Sequence, residues 1–181
     1  MTDEKLSWKQ ISKEQILSTC VFDVNKTKSL SPDGKESEFI IIDAPCWCTV
    51  IPEIDDSFLM VKQFRHGTNS LSIEFPGGVI EKNEDPLFAA KRELLEETGY
   101  TTDDIVLIGV TSPNPAIMSN KMYFYLAKNL INTNKQNLDP NEYVEFMKIP
   151  KKEVLQKMGS AEYPHALMCC ALNFYRQYKD K

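Results

Sequence analysis

Gly78-Val-Ile-Glu-Lys-Asn-Glu84-Asp-Pro-Leu-Phe-Ala-Ala-Lys-Arg92-Glu93-Leu94-Leu-Glu96-Glu97-Thr-Gly99-Tyr100 is the stretch on which the reading of this 181-residue chain turns. Its spacing predicts one helix. Asp85 is placed as N-cap, Pro86 occupies the first helical position where a missing N–H costs nothing, and Gly99 is placed to end the helix in a left-handed conformation. At about 100° per residue, Leu87 and Leu94 share one flank, and Phe88 and Leu95 another. Glu93, Glu96 and Glu97 fall at i, i+3 and i+4, on a common face. Like charges so placed destabilise a helix by roughly 0.2–0.5 kcal/mol per pair. A cluster kept at that cost points to use, and the commonest use is to hold a hard cation through oxygen ligands. Arg92, four residues before Glu96, is placed to orient or partly neutralise the acids, and Ala89 and Ala90 are small enough to leave room for an ion and a ligand. Ahead of the helix, Pro76-Gly77-Gly78 allows backbone conformations that side chains forbid, so a carbonyl there is a further candidate ligand.

Composition fits a small enzyme. The length suits one domain, or one domain with a short extension. No apolar run approaches a membrane span, and the N-terminal residues lack a signal-peptide stretch. A formal charge of −5 without a basic cluster argues against nucleic acid as a partner. An acidic protein acting on phosphates needs a cation between the two, which the carboxylates are suited to hold. Cys20, Cys46, Cys48, Cys169 and Cys170 are odd in number and lack C-x-x-C spacing, so they read as free, buried thiols in a reducing cytoplasm rather than as disulfides or a zinc site. His66 and His165 stand far apart in sequence, with no nucleophile motif beside either.

Outward from this helix, strands are predicted near 18–25 and 37–43 about the turn Ser31-Pro32-Asp33-Gly34, giving an N-terminal β-hairpin. Further strands are predicted near 46–52, 57–65, 70–75, 104–111, 121–127 and 142–149, with helices from Pro150 to about Met158 and near 162–178. Leu167, Cys170, Ala171 and Phe174 of the last helix are candidate core contacts. The fold class is α+β, a mixed sheet between helices, with residues 1–43 as the extension and 44–181 as the main domain.

The segment from Gly78 resembles the Nudix box, Gly-x5-Glu-x7-Arg-Glu-U-x-Glu-Glu-x-Gly-U. Gly78, Glu84, Arg92, Glu93, Glu96, Glu97 and Gly99 fill the fixed positions in register, while Tyr100 stands where an aliphatic residue is commoner. Gln63-Phe64-Arg65-His66-Gly67, Glu74-Phe75-Pro76-Gly77-Gly78 and the loop from Ser112 to Lys121, with Pro115 after the box, are similar to the ADP-ribose pyrophosphatase branch. That resemblance implies the Nudix fold and hydrolysis of a pyrophosphate bond with Mg²⁺, for which Mn²⁺ substitutes. ADP-ribose or an ADP-sugar would give AMP and a sugar phosphate. The alternatives are another nucleotide sugar, a dinucleotide cofactor, or a sensor of the same fold without turnover.

The resemblance also implies site roles. Glu93 and Glu97 are the principal ligands, Glu96 a ligand or close support, and the Gly77 carbonyl a further one. Glu142, after Asp139-Pro140-Asn141, is the general base, with Glu145 or a box glutamate as alternatives. Arg65 is a phosphate clamp and Phe22 a stacking partner for a base. In similar enzymes the N-terminal extension completes the partner subunit's pocket, which implies a homodimer. Trp8 and Trp47 receive no role.

Overall fold

A computed structural model describes residues 3–138 and 140–180; Asp139, expected in the run before Glu142, lies outside it, as do Met1, Thr2 and Lys181. Two compact units emerge, one of Met1–Pro45 with Ser112–Lys121 and the other of Cys46–Thr111 with Met122–Lys181.

The first unit is a three-stranded antiparallel sheet of β1 (Lys9–Ser18), β2 (Asp23–Leu30) and β3 (Glu36–Asp43), in the order β1-β2-β3. The turn at Ser31 to Gly34 stands as expected, with Gly34 N–H bonded to the Ser31 carbonyl at 3.0 Å. The two-stranded hairpin is corrected to three strands. Residues 19–22, expected inside a strand, form a turn closed by Thr19 and Phe22. The added strand β1 is exposed along its whole length and carries two register shifts, so no apolar alternation betrays it. The 112–121 loop joins this sheet. Ile42 N–H donates to the Ile117 carbonyl at 2.7 Å, Ser119 Oγ donates to Asp43 Oδ1 at 2.6 Å, and Lys13 pairs with Asp43. Trp8 packs edge-on against Phe39 with centroids 5.3 Å apart.

The second unit is built on a mixed six-stranded sheet. Its strands are β4 (Trp47–Ile54), β5 (Ser57–Arg65), β6 (Ser70–Glu74), β8 (Ile105–Thr111), β9 (Met122–Ala127) and β11 (Glu145–Pro150). A two-residue pair, β7 (Tyr100–Thr101) with β10 (Ile131–Asn132), is too short to leave a sequence pattern. The sheet runs β11-β5-β4-β9-β8, with β6 antiparallel on β5 and β4 parallel to β9. Strand β9 shows why helices cover both faces. Met122, Phe124 and Leu126 enter one apolar cluster, and Tyr123, Tyr125 and Ala127 the other. The first cluster is closed by α2 (Lys151–Lys157) and α3 (Ala166–Lys179), the second by α1 (Pro86–Thr98). The expected α3 contacts Leu167, Cys170, Ala171 and Phe174 all belong to the first cluster. No helix among the described residues is long and apolar enough to cross a membrane.

Helix α1 has the expected ends. Asp85 accepts from Leu87 N–H at 2.8 Å, Pro86 opens the first turn, and Gly99 is left-handed at φ 72°. Its buried stripe differs from the sequence reading. Ala89 and Ala90 are fully buried against Cys48, Val50 and Leu94, so their small size brings the helix close to β4 instead of making room for a ligand. Phe88 is exposed.

Candidate functional site

Strands β4 and β5 pair only at Glu53–Phe58 and Ile54–Ser57 and then part. The loop after β6 fills the opened edge. Val50 N–H donates to the Pro76 carbonyl at 2.8 Å, Cys48 N–H to the Gly78 carbonyl at 2.9 Å, and Ile80 N–H to the Cys46 carbonyl at 2.9 Å. This close approach explains both glycines. A Cβ on Gly77 would fall on the Cys48 carbonyl oxygen, and one on Gly78 would lie 2.5 Å from Glu93 Oε1. The loop is thereby pressed between β4 and the acidic face of α1.

On that face the three glutamates occupy different environments. Glu97 is buried and accepts the Gly77 N–H at Oε2, 2.8 Å away. Burial pushes its carboxyl up to about 8; the Gly77 N–H and Arg65 oppose this, while the charges of Glu93 and Glu142 add to it. Glu93 is pushed up to about 7, again chiefly by burial, with Arg92 opposing and Glu96 and Glu142 adding. Glu96 is the most exposed of the three.

Arg92 organises the group. Its guanidinium reaches Glu84 Oε1 at 2.9 Å and Oε2 at 3.0 Å, Glu93 Oε1 at 2.8 Å, Glu96 Oε2 at 3.0 Å and the Val79 carbonyl at 3.0 Å. The planar fork thus ties the box loop to α1. Glu84 in turn accepts the Glu81 N–H at 2.9 Å, which holds the loop that carries it.

Glu142 lies in the loop before β11, and its charge is felt at Glu93, Glu97 and Arg65. Glu145 is the first, exposed residue of β11, opposite Lys62. The expected Gly77 contact is through its N–H to Glu97.

A cavity of about 700 Å³ opens beside Gly77 and Gly78, and Trp47 is part of its wall. Arg65 lies there too, but not as a free clamp. Its Nε and Nη2 bind Glu74 Oε1 and Oε2 at 2.8 and 2.7 Å. Glu74 is 1% exposed. Burial pushes its carboxyl up, yet the hydrogen bonds and charge of Arg65 outweigh this and hold it below the usual carboxylate range. His165, the N-cap of α3, stands 3.7 Å from Glu74 on the same wall. Sequence reasoning missed Glu74 and His165 as a pair because 91 positions (165 − 74) separate them. Phe22 closes the β1–β2 turn and Pro115 sits in the exposed part of the 112–121 loop, both in the first unit. The cysteines divide: Cys48 is buried, Cys46 and Cys170 are half-buried, and Cys20 and Cys169 are exposed, contrary to the uniform burial expected.

Among the described residues no three His, Cys, Asp or Glu side chains are arranged to enclose a metal by themselves. The donor set nevertheless fits a hard cation that shares its coordination with water and substrate. Two neighbouring carboxylates, buried Glu97 and half-buried Glu93, are both pushed towards protonation and would be relieved by a divalent ion.

The sequence matches the NUDIX domain family over residues 47–167. It is 34% identical over 179 residues to an ADP-ribose pyrophosphatase of Bacillus subtilis (strain 168), covering 98% of this chain and 96% of that one. It is 32% identical over 150 residues to a methanol dehydrogenase activator of Bacillus methanolicus, covering 82% of this chain and 81% of that one. A crystal structure of an ADP compounds hydrolase superposes with a TM-score of 0.83 at 22% identity, covering 94% of this chain and 93% of the other, and shows the same fold.

Proposed function

The chain belongs to the Nudix hydrolase family, and from that premise we propose that it hydrolyses the pyrophosphate bond of ADP-ribose or an ADP-sugar, giving AMP and a sugar phosphate. The observation that carries this reading is the pair of buried Glu97 and half-buried Glu93 facing the Gly77–Gly78 loop beside an open cavity. Likeness to an ADP-ribose pyrophosphatase over nearly the whole chain supports the choice of substrate.

Glu93 and Glu97 would hold Mg²⁺, or Mn²⁺ in its place, with Glu96 and the Gly77 carbonyl in support. When bound, the ion would neutralise charge on the diphosphate and make a bound water more acidic. Arg92 fixes the Glu93 carboxylate, and the Gly77 N–H fixes that of Glu97. The Glu142 carboxylate takes the proton of the attacking water; its electrostatic reach to both box glutamates favours it over Glu145. Arg65, anchored by Glu74, contributes positive potential towards the phosphates. Phe22 contacts the base and Pro115 the substrate, readings supported by the resemblance and their partly or fully exposed positions. The reading extends to a homodimer, in which residues 1–43 serve as a dimerisation and pocket element and 44–181 as the hydrolase domain. Ile11, Ile16, Leu17 and Ile40, exposed on the first unit, support it. A cytoplasmic location is in keeping with five free thiols.

Purified protein incubated with Mg²⁺ and a panel of ADP-ribose, ADP-glucose, other nucleotide sugars and dinucleotides tests this. ADP-ribose or ADP-glucose should be cleaved fastest, with AMP and the sugar phosphate in equal amounts by chromatography. Preference for a compound lacking an ADP moiety would overturn the substrate assignment.

A further inference from the structure

His165 is an unusual choice for the residue before a helix, where Ser, Thr, Asp and Asn are preferred. It does cap α3: its Nδ1 accepts the Leu167 N–H at 3.2 Å. That bond fixes the ring's tautomer, since a neutral imidazole accepting at Nδ1 carries its proton on Nε2. Burial lowers the histidine pKa, opposed by Glu74 and aided by Arg65, and the net shift favours the neutral ring. The helix has no use for the Nε2–H.

That donor stands on the cavity wall 3.7 Å from Glu74 Oε2, too far for a mutual hydrogen bond. The imidazole is held by the α3 backbone, while the carboxylate lies buried beneath the fork of Arg65, so the Nε2–H is the group of the pair that faces the cavity. A fixed, neutral donor on the wall suits a hydroxyl group, whose oxygen accepts from Nε2–H. The guanidinium of Arg65, more exposed on the same wall, is the better partner for a phosphate oxygen.

We propose that His165 is a specificity-determining residue that holds a hydroxyl of the sugar joined to the distal phosphate. This rests on the hydrolysis proposed above, and it makes the enzyme select diphosphates bearing a sugar over those bearing an apolar group.

Two substitutions separate the donor from the cap. In His165→Asn the side-chain oxygen still caps the helix, but no donor reaches the place of Nε2. In His165→Gln the amide nitrogen reaches that place, at the expense of the cap. Each is compared with wild type on ADP-ribose and on ADP ethyl ester, in which an ethyl group replaces the sugar. The Asn variant should keep the wild-type Tm and lose about tenfold in kcat/KM on ADP-ribose, mostly through KM, with the ethyl ester unchanged. The Gln variant should melt lower but retain the preference for ADP-ribose. Equal loss on both substrates, or an undiminished preference in the Asn variant, overturns the assignment. Wild-type enzyme that leaves ADP-ribose intact refutes the proposed hydrolysis and this inference with it; wild-type cleavage with no effect of the Asn variant refutes the inference alone.

Discussion

Replacing Arg92 by lysine keeps the charge and removes the fork. The guanidinium makes five hydrogen bonds, to both oxygens of Glu84 on one side, to Glu93 and Glu96 on the other, and to the Val79 carbonyl. An ammonium offers three donors on a single atom and cannot span both sides. At least two bonds to carboxylates are lost. Hydrogen bonds to charged groups contribute about 1.5–3 kcal/mol each. Side-chain exposures of 29% for Arg92 and 32% for Glu96 bring solvent screening that trims this sum. The expected destabilisation is about 2–4 kcal/mol. For a chain of this size that is a fall in Tm of roughly 5–15 °C. Urea unfolding should show a lower midpoint at an unchanged slope. A loss under about 0.5 kcal/mol, the range of an ordinary surface substitution, would refute the view that Arg92 ties the box loop to α1.

Three further expectations follow from neighbouring residues. Gly78→Ala places a methyl group 2.5 Å from Glu93 Oε1, so kcat should fall by about 100-fold with a cooperative fold retained; wild-type turnover would show that Glu93 need not stand where it does. The Arg65–Glu74 pair should stabilise the fold fully above the unfolded carboxylate pKa of about 4.3 and lose that contribution as pH falls through the lower folded value. The Tm gap between wild type and Glu74→Gln should therefore narrow from neutral pH towards about pH 3, and a constant gap contradicts the pairing. Ellman's reagent should label exposed Cys20 and Cys169 first and reach Cys48, whose thiol burial pushes up to about 12, only on unfolding; rapid labelling of Cys48 in the native protein contradicts its burial.

Much of the second unit was legible because its signals are local. The box helix announces itself through Asp85, Pro86 and Gly99, and each end is where those residues place it. Strands β4, β5 and β9 carry apolar residues in patterns that burial demands. Strand β1 was illegible for the converse reason: none of its residues is buried, so selection for a core left no alternation. The meaning of Ala89 and Ala90 was misread because a small residue on a helix serves equally for a cavity and for close packing, and only the approach of β4 decides. The glutamate cluster was visible in its spacing. Arg65 was visible as a residue but not in its attachment, since nothing local says that Glu74 will be buried beneath its fork.

The most direct test is the rate of ADP-ribose cleavage against Mg²⁺ concentration for wild type and Glu97→Gln. The account predicts no cleavage after exhaustive chelation and a saturable rise for wild type. For the variant it predicts a lower ceiling, reached only at higher Mg²⁺. Equal cleavage in the presence of chelator, or superimposable curves for the two proteins, would contradict it.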